Sequence, residues 1–206
     1  MRKTGYLLIV CGLFILLFSS LAWSKQSEAV SYQPEVLKQD HPGWDSTAAK
    51  KTISFSAAEE KPVQPAVQPN HTTGETVGQL EIPKIGSQYE VFWGTDEDTL
   101  TKGVGMYDST WTVTPPENGH VVLAGHRDTV FKNLDEIETG DHLYVEYEGI
   151  TYDYQVRKTW ITHKEDRTVI VEKEQATLTL STCYPFDYIG PAPDRYIIQA
   201  ELVAKK

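Results

Sequence analysis

Residues 176–183 read ATLTLSTC, a strand-like run that stops at a cysteine and gives way to the proline-containing loop Tyr184–Pro193. Runs of the same kind lie on either side. Downstream is Tyr196–Val203; upstream are the long Thr151–Ile161, the alternating Leu143–Tyr147 with its Glu148-Gly149 turn, and HVVLAG at His120–Gly125. That last run follows the turn-like Pro115-Pro116-Glu117-Asn118-Gly119. Farther back, Gly78–Ile82 and Gln88–Trp93 are separated by Pro83-Lys84-Ile85-Gly86. Short strands divided by turn signals predict an all-β barrel or sandwich. Two short helical turns are predicted, at Asp96–Thr101 and Val130–Ile137.

The texture changes before Val77. Residues 25–76 lack a sustained period of 2 or 3.6 and carry Pro34, Pro42, Pro62, Pro65 and Pro69, with Val-Gln-Pro repeated at 63–65 and 67–69. This composition predicts a mostly disordered tether, stiffened locally by polyproline conformation, into which Trp44 and Phe55 fit poorly. Ahead of it, Arg2 and Lys3 precede an uncharged stretch from Tyr6 to Trp23. At 1.5 Å per residue the stretch spans about 27 Å, enough for a bilayer core. Basic residues before it predict an N-terminus held inside and an exported remainder. The competing reading is a cleaved signal peptide, for which Ser20-Leu21-Ala22 offers small residues. The length of the run favours an uncleaved anchor. The expected organisation is therefore a cytoplasmic stub and transmembrane signal-anchor at 1–24, a linker at 25–76 and a folded domain at 77–206.

Composition narrows the function. The chain has 206 residues and a formal net charge of −10, and from Val77 onward 22 acidic residues oppose 12 basic ones. No cationic surplus exists to neutralise phosphates, so nucleic acid is excluded as a partner. Cysteine occurs only as Cys11 and Cys183, which excludes a disulfide framework and a four-cysteine zinc site. The histidines show no His-x-x-x-His spacing, and no metal or cofactor is implied.

Cys183 is the candidate nucleophile. A lone cysteine is most often a small buried hydrophobe. This one sits where a strand meets a loop, in a chain predicted to work outside the cytoplasm, where an unpaired thiol is a liability unless used. A nucleophilic cysteine needs a base or cation beside it. Among His41, His71, His120, His126, His142 and His163, the first two fall in the linker and His142 and His163 in polar turns. His120 begins a strand, whereas His126 stands just past one, in LAGHRD at 123–128. Arg195 opens the last strand after Ala192-Pro193-Asp194; its planar guanidinium suits an oxyanion, and the bland alternative is a surface pair with Asp194.

Three segments, LAGHRDTVF at 123–131, TLSTCYPF at 179–186 and APDRYIIQAEL at 192–202, together resemble the sortases, the cysteine transpeptidases of Gram-positive surfaces. Tyr184-Pro185-Phe186 and Ile82–Gly86 (IPKIG) resemble class D members in particular. The resemblance covers about 78–203. It implies an eight-stranded closed β-barrel, with His126 as general acid/base, Cys183 as nucleophile and Arg195 as stabiliser of the oxyanion. It further implies that Cys183 attacks the Thr carbonyl of an LPxT-G or LPxT-A sorting signal on a surface protein. A thioester forms, and an amine of peptidoglycan or its lipid-linked precursor resolves it. Thr182, beside the nucleophile, is a candidate for orienting substrate, or simply a β-branched strand residue.

Two other readings compete. An L,D-transpeptidase would carry Ser-x-Gly-Cys, whereas Cys183 follows Ser181-Thr182. A noncatalytic tethered β-module would leave the three motifs as coincidence. The acidic run Asp96-Glu97-Asp98 suggests a calcium site less well than the solvated first turn of a helix.

Overall fold

The computed structural model of the chain describes residues 2–27, 30–46, 51, 71–187 and 190–206. In chain order these form helix α1 (Arg2–Ser27), strand β1 (Val30–Tyr32), helix α2 (Pro34–Asp40), β2 (Thr76–Ile82) and a 3-10 turn at Pro83–Ile85. Then come β3 (Ser87–Trp93), α3 (Glu97–Lys102), β4 (Val104–Met106), β5 (His120–Ala124) and a second 3-10 turn at Leu134–Glu136. The last four strands are β6 (His142–Tyr147), β7 (Ile150–His163), β8 (Thr177–Tyr184) and β9 (Asp194–Lys205).

Pairing closes eight of these strands into a barrel. They run β3-β2-β6-β7-β9-β8-β5-β4, and a parallel β3–β4 pairing joins the ends. Among the described residues only β3–β4 and β5–β8 are parallel. Leu80, Val91, Leu123, Val145, Leu178 and Ile198 are all fully buried inside. Each of these side chains contributes roughly 1.5–3 kcal/mol of transfer free energy. Alternation sends their neighbours to the outer wall, so Thr177, Thr179 and Ser181 of β8 stand on the face opposite Leu178 and Leu180. That outer wall carries the site described below.

The seven predicted strands are all present, lengthened by one or two residues at most ends. Two were missed. Both β4 and β1 have three residues, too few for any alternation to register. The predicted helical turns appear as α3 and as the shorter turn at Leu134–Glu136. Asp96 is the N-cap of α3, with its Oδ1 accepting from the Thr99 amide at 3.1 Å.

The linker differs from expectation at its start. Because β4 is so short, it pairs only with Val91–Trp93 and leaves the first half of β3 open at that edge. β1 fills the gap, with Val30 opposite Tyr89 and Tyr32 opposite Ser87. α2 follows with Pro34 at its first turn and packs Leu37, 1% exposed, against the Pro83–Ile85 turn. Gly86 makes this approach possible. Its φ is +64°, and a Cβ there would lie 2.8 Å from Pro34. His41 then stacks on Tyr144 at 3.5 Å between ring centroids and sets Nε2 2.5 Å from Glu81 Oε2. At the far end, His71 Nε2 lies 2.9 Å from the Tyr147 hydroxyl. Trp44 is half-buried; Phe55 and the Val-Gln-Pro repeat lie outside the described residues. Part of the segment read as tether is thus attached to the barrel.

This attachment has a measurable cost of removal. Leu37→Ala deletes a buried branched side chain, so the melting temperature of the whole chain should fall by roughly 4–10 °C. An unchanged melt would make the segment a passenger.

Two further differences concern the N-terminus and a histidine. Residues 2–27 form one helix, and every side chain described on it, those of 6 and 9–20, is exposed. Among the described residues no helix is long and apolar enough to cross a membrane. His142, expected in a solvated turn, instead begins β6 and is buried, with Nδ1 2.6 Å from Asp153 Oδ1. The Asp153 carboxylate supplies the partner that sequence spacing did not reveal.

Candidate active site

Three adjacent strands bring the candidate residues together. β8 and β9 are antiparallel, and Cys183 is the direct partner of Arg195. Opposed residues of an antiparallel pair project to the same face with Cβ atoms about 5 Å apart. β5 runs parallel to β8 with Ala124 level with Ser181. Two residues farther along each chain are His126 and Cys183. All three side chains are partly exposed, and they stand at one end of the outer wall.

His126 sits at the start of a tight connection. Its carbonyl accepts from the amides of Val130 at 3.1 Å and Phe131 at 2.7 Å, which curls the chain back on itself. Phe131 is thereby buried beneath the preceding glycine and meets Tyr89 edge-on at 5.6 Å. Gly125 allows this close packing, because a Cβ there would lie 2.9 Å from the Phe131 ring. The His126 Nε2 also lies 3.8 Å from Oε1 of Glu97, on the first turn of α3.

Thr182 is placed differently from expectation. It is 2% exposed and donates its hydroxyl to the Gly125 carbonyl at 2.8 Å. Its side chain therefore points to the face of β8 opposite that of Cys183. It ties the two strand ends that carry Cys183 and His126, so its part is positional.

Arg195 makes no ion pair with Asp194 among the described residues. Nη1 donates instead to the backbone carbonyls of Asp194 at 2.9 Å and Ala192 at 3.4 Å. The bland alternative of a carboxylate-paired surface arginine is not what the geometry contains.

Sequence reading overlooked Arg127. It is 9% exposed, and its guanidinium donates to the Pro185 carbonyl through Nη1 and to the Gly190 carbonyl through Nη2, each at 2.9 Å. One fork thus grips both ends of the loop that follows Cys183, from the residue next to His126. The ring of Phe186, in the same loop, packs against Tyr196 at 5.4 Å and Tyr184 at 5.9 Å. The buried guanidinium is visible in sequence only as one more charge beside a histidine.

Away from Cys183 the wall opens into a groove of about 250 Å³. Ala124, Ser181 and Ile197 form its floor, Arg195 lies at one end, and Val169 and Ile170 of the β7–β8 loop form one side. That loop is held at both ends. Asp166 accepts from the Thr162 hydroxyl and from the hydroxyl and amide of Thr168 at 2.7 and 2.8 Å. These bonds push its carboxyl down to about 2. A depressed carboxylate adds stability that is complete above its unfolded pKa and is lost as pH falls through the folded value, so this loop anchor fails only in strong acid. At the other end His120, 1% exposed, contacts the Val171 carbonyl through Nδ1 at 2.7 Å and the Thr179 hydroxyl through Nε2 at 2.7 Å. Burial pushes the His120 pKa down, so Nδ1–H donates to Val171 and Nε2 accepts from Thr179.

No group of histidine, cysteine and carboxylate side chains suited to a metal ion is present among the described residues.

Residues 80–203 match the sortase domain family. Sortase D of Bacillus subtilis is 46% identical over 132 residues, covering 64% of this chain and 66% of that protein. Sortase A of Listeria monocytogenes is 28% identical over 118 residues, covering 55% of this chain and 52% of the relative. The chain thus spans between about half and two thirds of the length of these relatives. Among solved structures, the catalytic domain of B. anthracis SrtD is 54% identical with a TM-score of 0.59, covering 68% of this chain and 95% of that one. A Clostridium perfringens sortase D5 transpeptidase is 27% identical with a TM-score of 0.58, covering 66% and 83%. Barrel, motifs and relatives agree: the chain belongs to the sortase family, the cysteine transpeptidases, and within it resembles the class D members.

Proposed function

We propose that this chain is a membrane-anchored extracellular transpeptidase that cleaves an LPxT-type sorting signal and joins the protein to a cell-wall amine. The observation that carries the reading is the register: Cys183 is the strand partner of Arg195, and His126 extends the parallel strand beside it. In the reaction, Cys183 Sγ attacks the Thr carbonyl carbon. The developing oxyanion meets the Arg195 guanidinium. As the C–N bond breaks, the leaving amine takes its proton from His126, and the acyl half remains as a thioester. An amine of peptidoglycan or its lipid-linked precursor then attacks the same carbon, giving its proton to His126 and expelling the thiolate. Atoms balance with no cofactor.

The membrane part of the proposal rests on the sequence alone, in which Arg2 and Lys3 precede an uncharged stretch at 6–23. Location follows from that orientation: N-terminus inside, barrel outside.

The test is direct. The chain from Lys25 onward, incubated with LPxTG and LPxTA peptides, should release the C-terminal fragment and hold the N-terminal half on Cys183. Cleavage of neither series, with the barrel folded, would overturn the reading.

Arg127 supplies a further expectation. Arg127→Lys keeps the charge but cannot span two carbonyls. It should lower kcat/KM about 10-fold by loosening the loop beside the nucleophile, because small misplacements of reacting groups are costly. Steady-state kinetics beside a thermal melt would check this; full activity would show the loop needs no such grip.

A further inference from the structure

Beyond the groove that ends at Arg195, the outer wall continues into a larger cleft of about 650 Å³. The two are contiguous, since Tyr107, Lys164, Asp166 and Ile170 line both. The cleft runs away from Cys183 and is walled by the β7–β8 loop on one side and by Trp111 on the other. Trp111 is 55% exposed, a large apolar surface left in water on a folded domain.

Both walls are fixed rather than loose. On the Trp111 side, the Tyr107 amide donates to Val122 at 2.8 Å and the Val113 amide to His120 at 3.0 Å, so both ends of the segment are tied to β5. Between them the Thr112 hydroxyl donates to the Tyr107 carbonyl at 2.8 Å, and the Ser109 amide donates to the Thr112 hydroxyl at 3.0 Å. On the opposite side the loop is pinned by Asp166 and by His120, as described above. Two walls anchored to one strand hold a tryptophan over an open cleft, which is a preorganised contact for a flexible chain.

We propose that this cleft is an upstream subsite: it binds residues of the donor polypeptide that precede the sorting motif, with Trp111 taking an apolar or aromatic side chain. The proposal rests on the transpeptidase reading above. Direction follows from the chemistry of the two halves. The leaving amine must depart toward His126, which does not line the groove. The acyl half, which stays on the enzyme until the acceptor arrives, must therefore lie along the groove that Arg195 heads and that the cleft prolongs. The charges around the cleft, Lys164 and Arg167 against Glu165 and Asp166, balance, so an apolar contact rather than net charge sets the preference.

The experiment compares the full chain in detergent micelles with its Trp111→Ala and Trp111→Phe variants. Substrates are one LPxT peptide, the same peptide extended upstream by three residues carrying an aromatic, the same with a Gly-Ser extension, and one extended downstream. The aromatic upstream peptide should show a KM about 5–10-fold below that of the Gly-Ser peptide at unchanged kcat. Trp111→Ala should erase the difference while still cleaving the short peptide at the wild-type rate, and Trp111→Phe should keep most of it. Equal KM values for all upstream extensions in the wild type would overturn the subsite, as would a gain that persists in Trp111→Ala or appears only on downstream extension. If the wild type cleaves none of the peptides, the transpeptidase reading itself fails, and the subsite with it.

Discussion

Cys183→Ala should leave the barrel folded and take peptide cleavage below detection. The side chain stands on the outer wall, partly exposed, opposite Arg195, and takes no place in the interior cluster. Replacing it removes one sulfur from the edge of a groove, a change of the size that usually moves stability by less than about 1 kcal/mol. The chemistry has no substitute. The other cysteine, Cys11, is exposed on α1, and a methyl group cannot form an acyl bond. The decisive measurement is mass spectrometry after acid quench. Wild type with an LPxT peptide should gain the mass of the acyl half on the fragment containing Cys183, and the alanine variant should not. Cleavage by a variant with an unchanged melt would remove Cys183 from its role. Loss of both activity and fold would mean the thiol supports the wall.

The fold was legible in the sequence wherever a strand was long enough to alternate. β7 and β9, at 14 and 12 residues, announce themselves, and so do the turns around them. What escaped was set by partners distant in sequence. β1 is three residues that become a strand only because β3 has an open edge beside Tyr89. His41 is a linker histidine until Glu81 and Tyr144 are placed next to it. The candidate site divides along the same line. Strand-to-loop junctions marked Cys183, His126 and Arg195, because exposure at a strand end is a local property. Thr182 was read from adjacency alone, and pleating turned it inward to the Gly125 carbonyl. Arg127 needed both ends of the β8–β9 loop, 58 and 63 positions away, before its charge had a meaning.

Arg195→Lys should lower kcat by roughly 10²-fold or more while changing KM much less. The reasoning starts from what holds the residue. Nη1 donates to two backbone carbonyls, of Asp194 and Ala192, and the guanidinium heads the groove across from Cys183. Backbone acceptors orient the plane without neutralising its charge, which leaves the cation available to an anion that forms on substrate. Such charge exists only in the tetrahedral state, so the interaction strengthens on going from bound peptide to transition state and appears in kcat. Lysine retains the charge but offers a point in place of a planar fork, so it cannot keep the carbonyl contacts and reach the oxyanion together. A surface ion pair would behave otherwise. Exposed pairs contribute at most about 1 kcal/mol, and the substitution would then be nearly silent. Steady-state kinetics on one LPxT peptide, with a melt as control, separates the cases. A parallel rise in KM at constant kcat would make Arg195 a substrate-binding residue, and wild-type kinetics would take it out of the site.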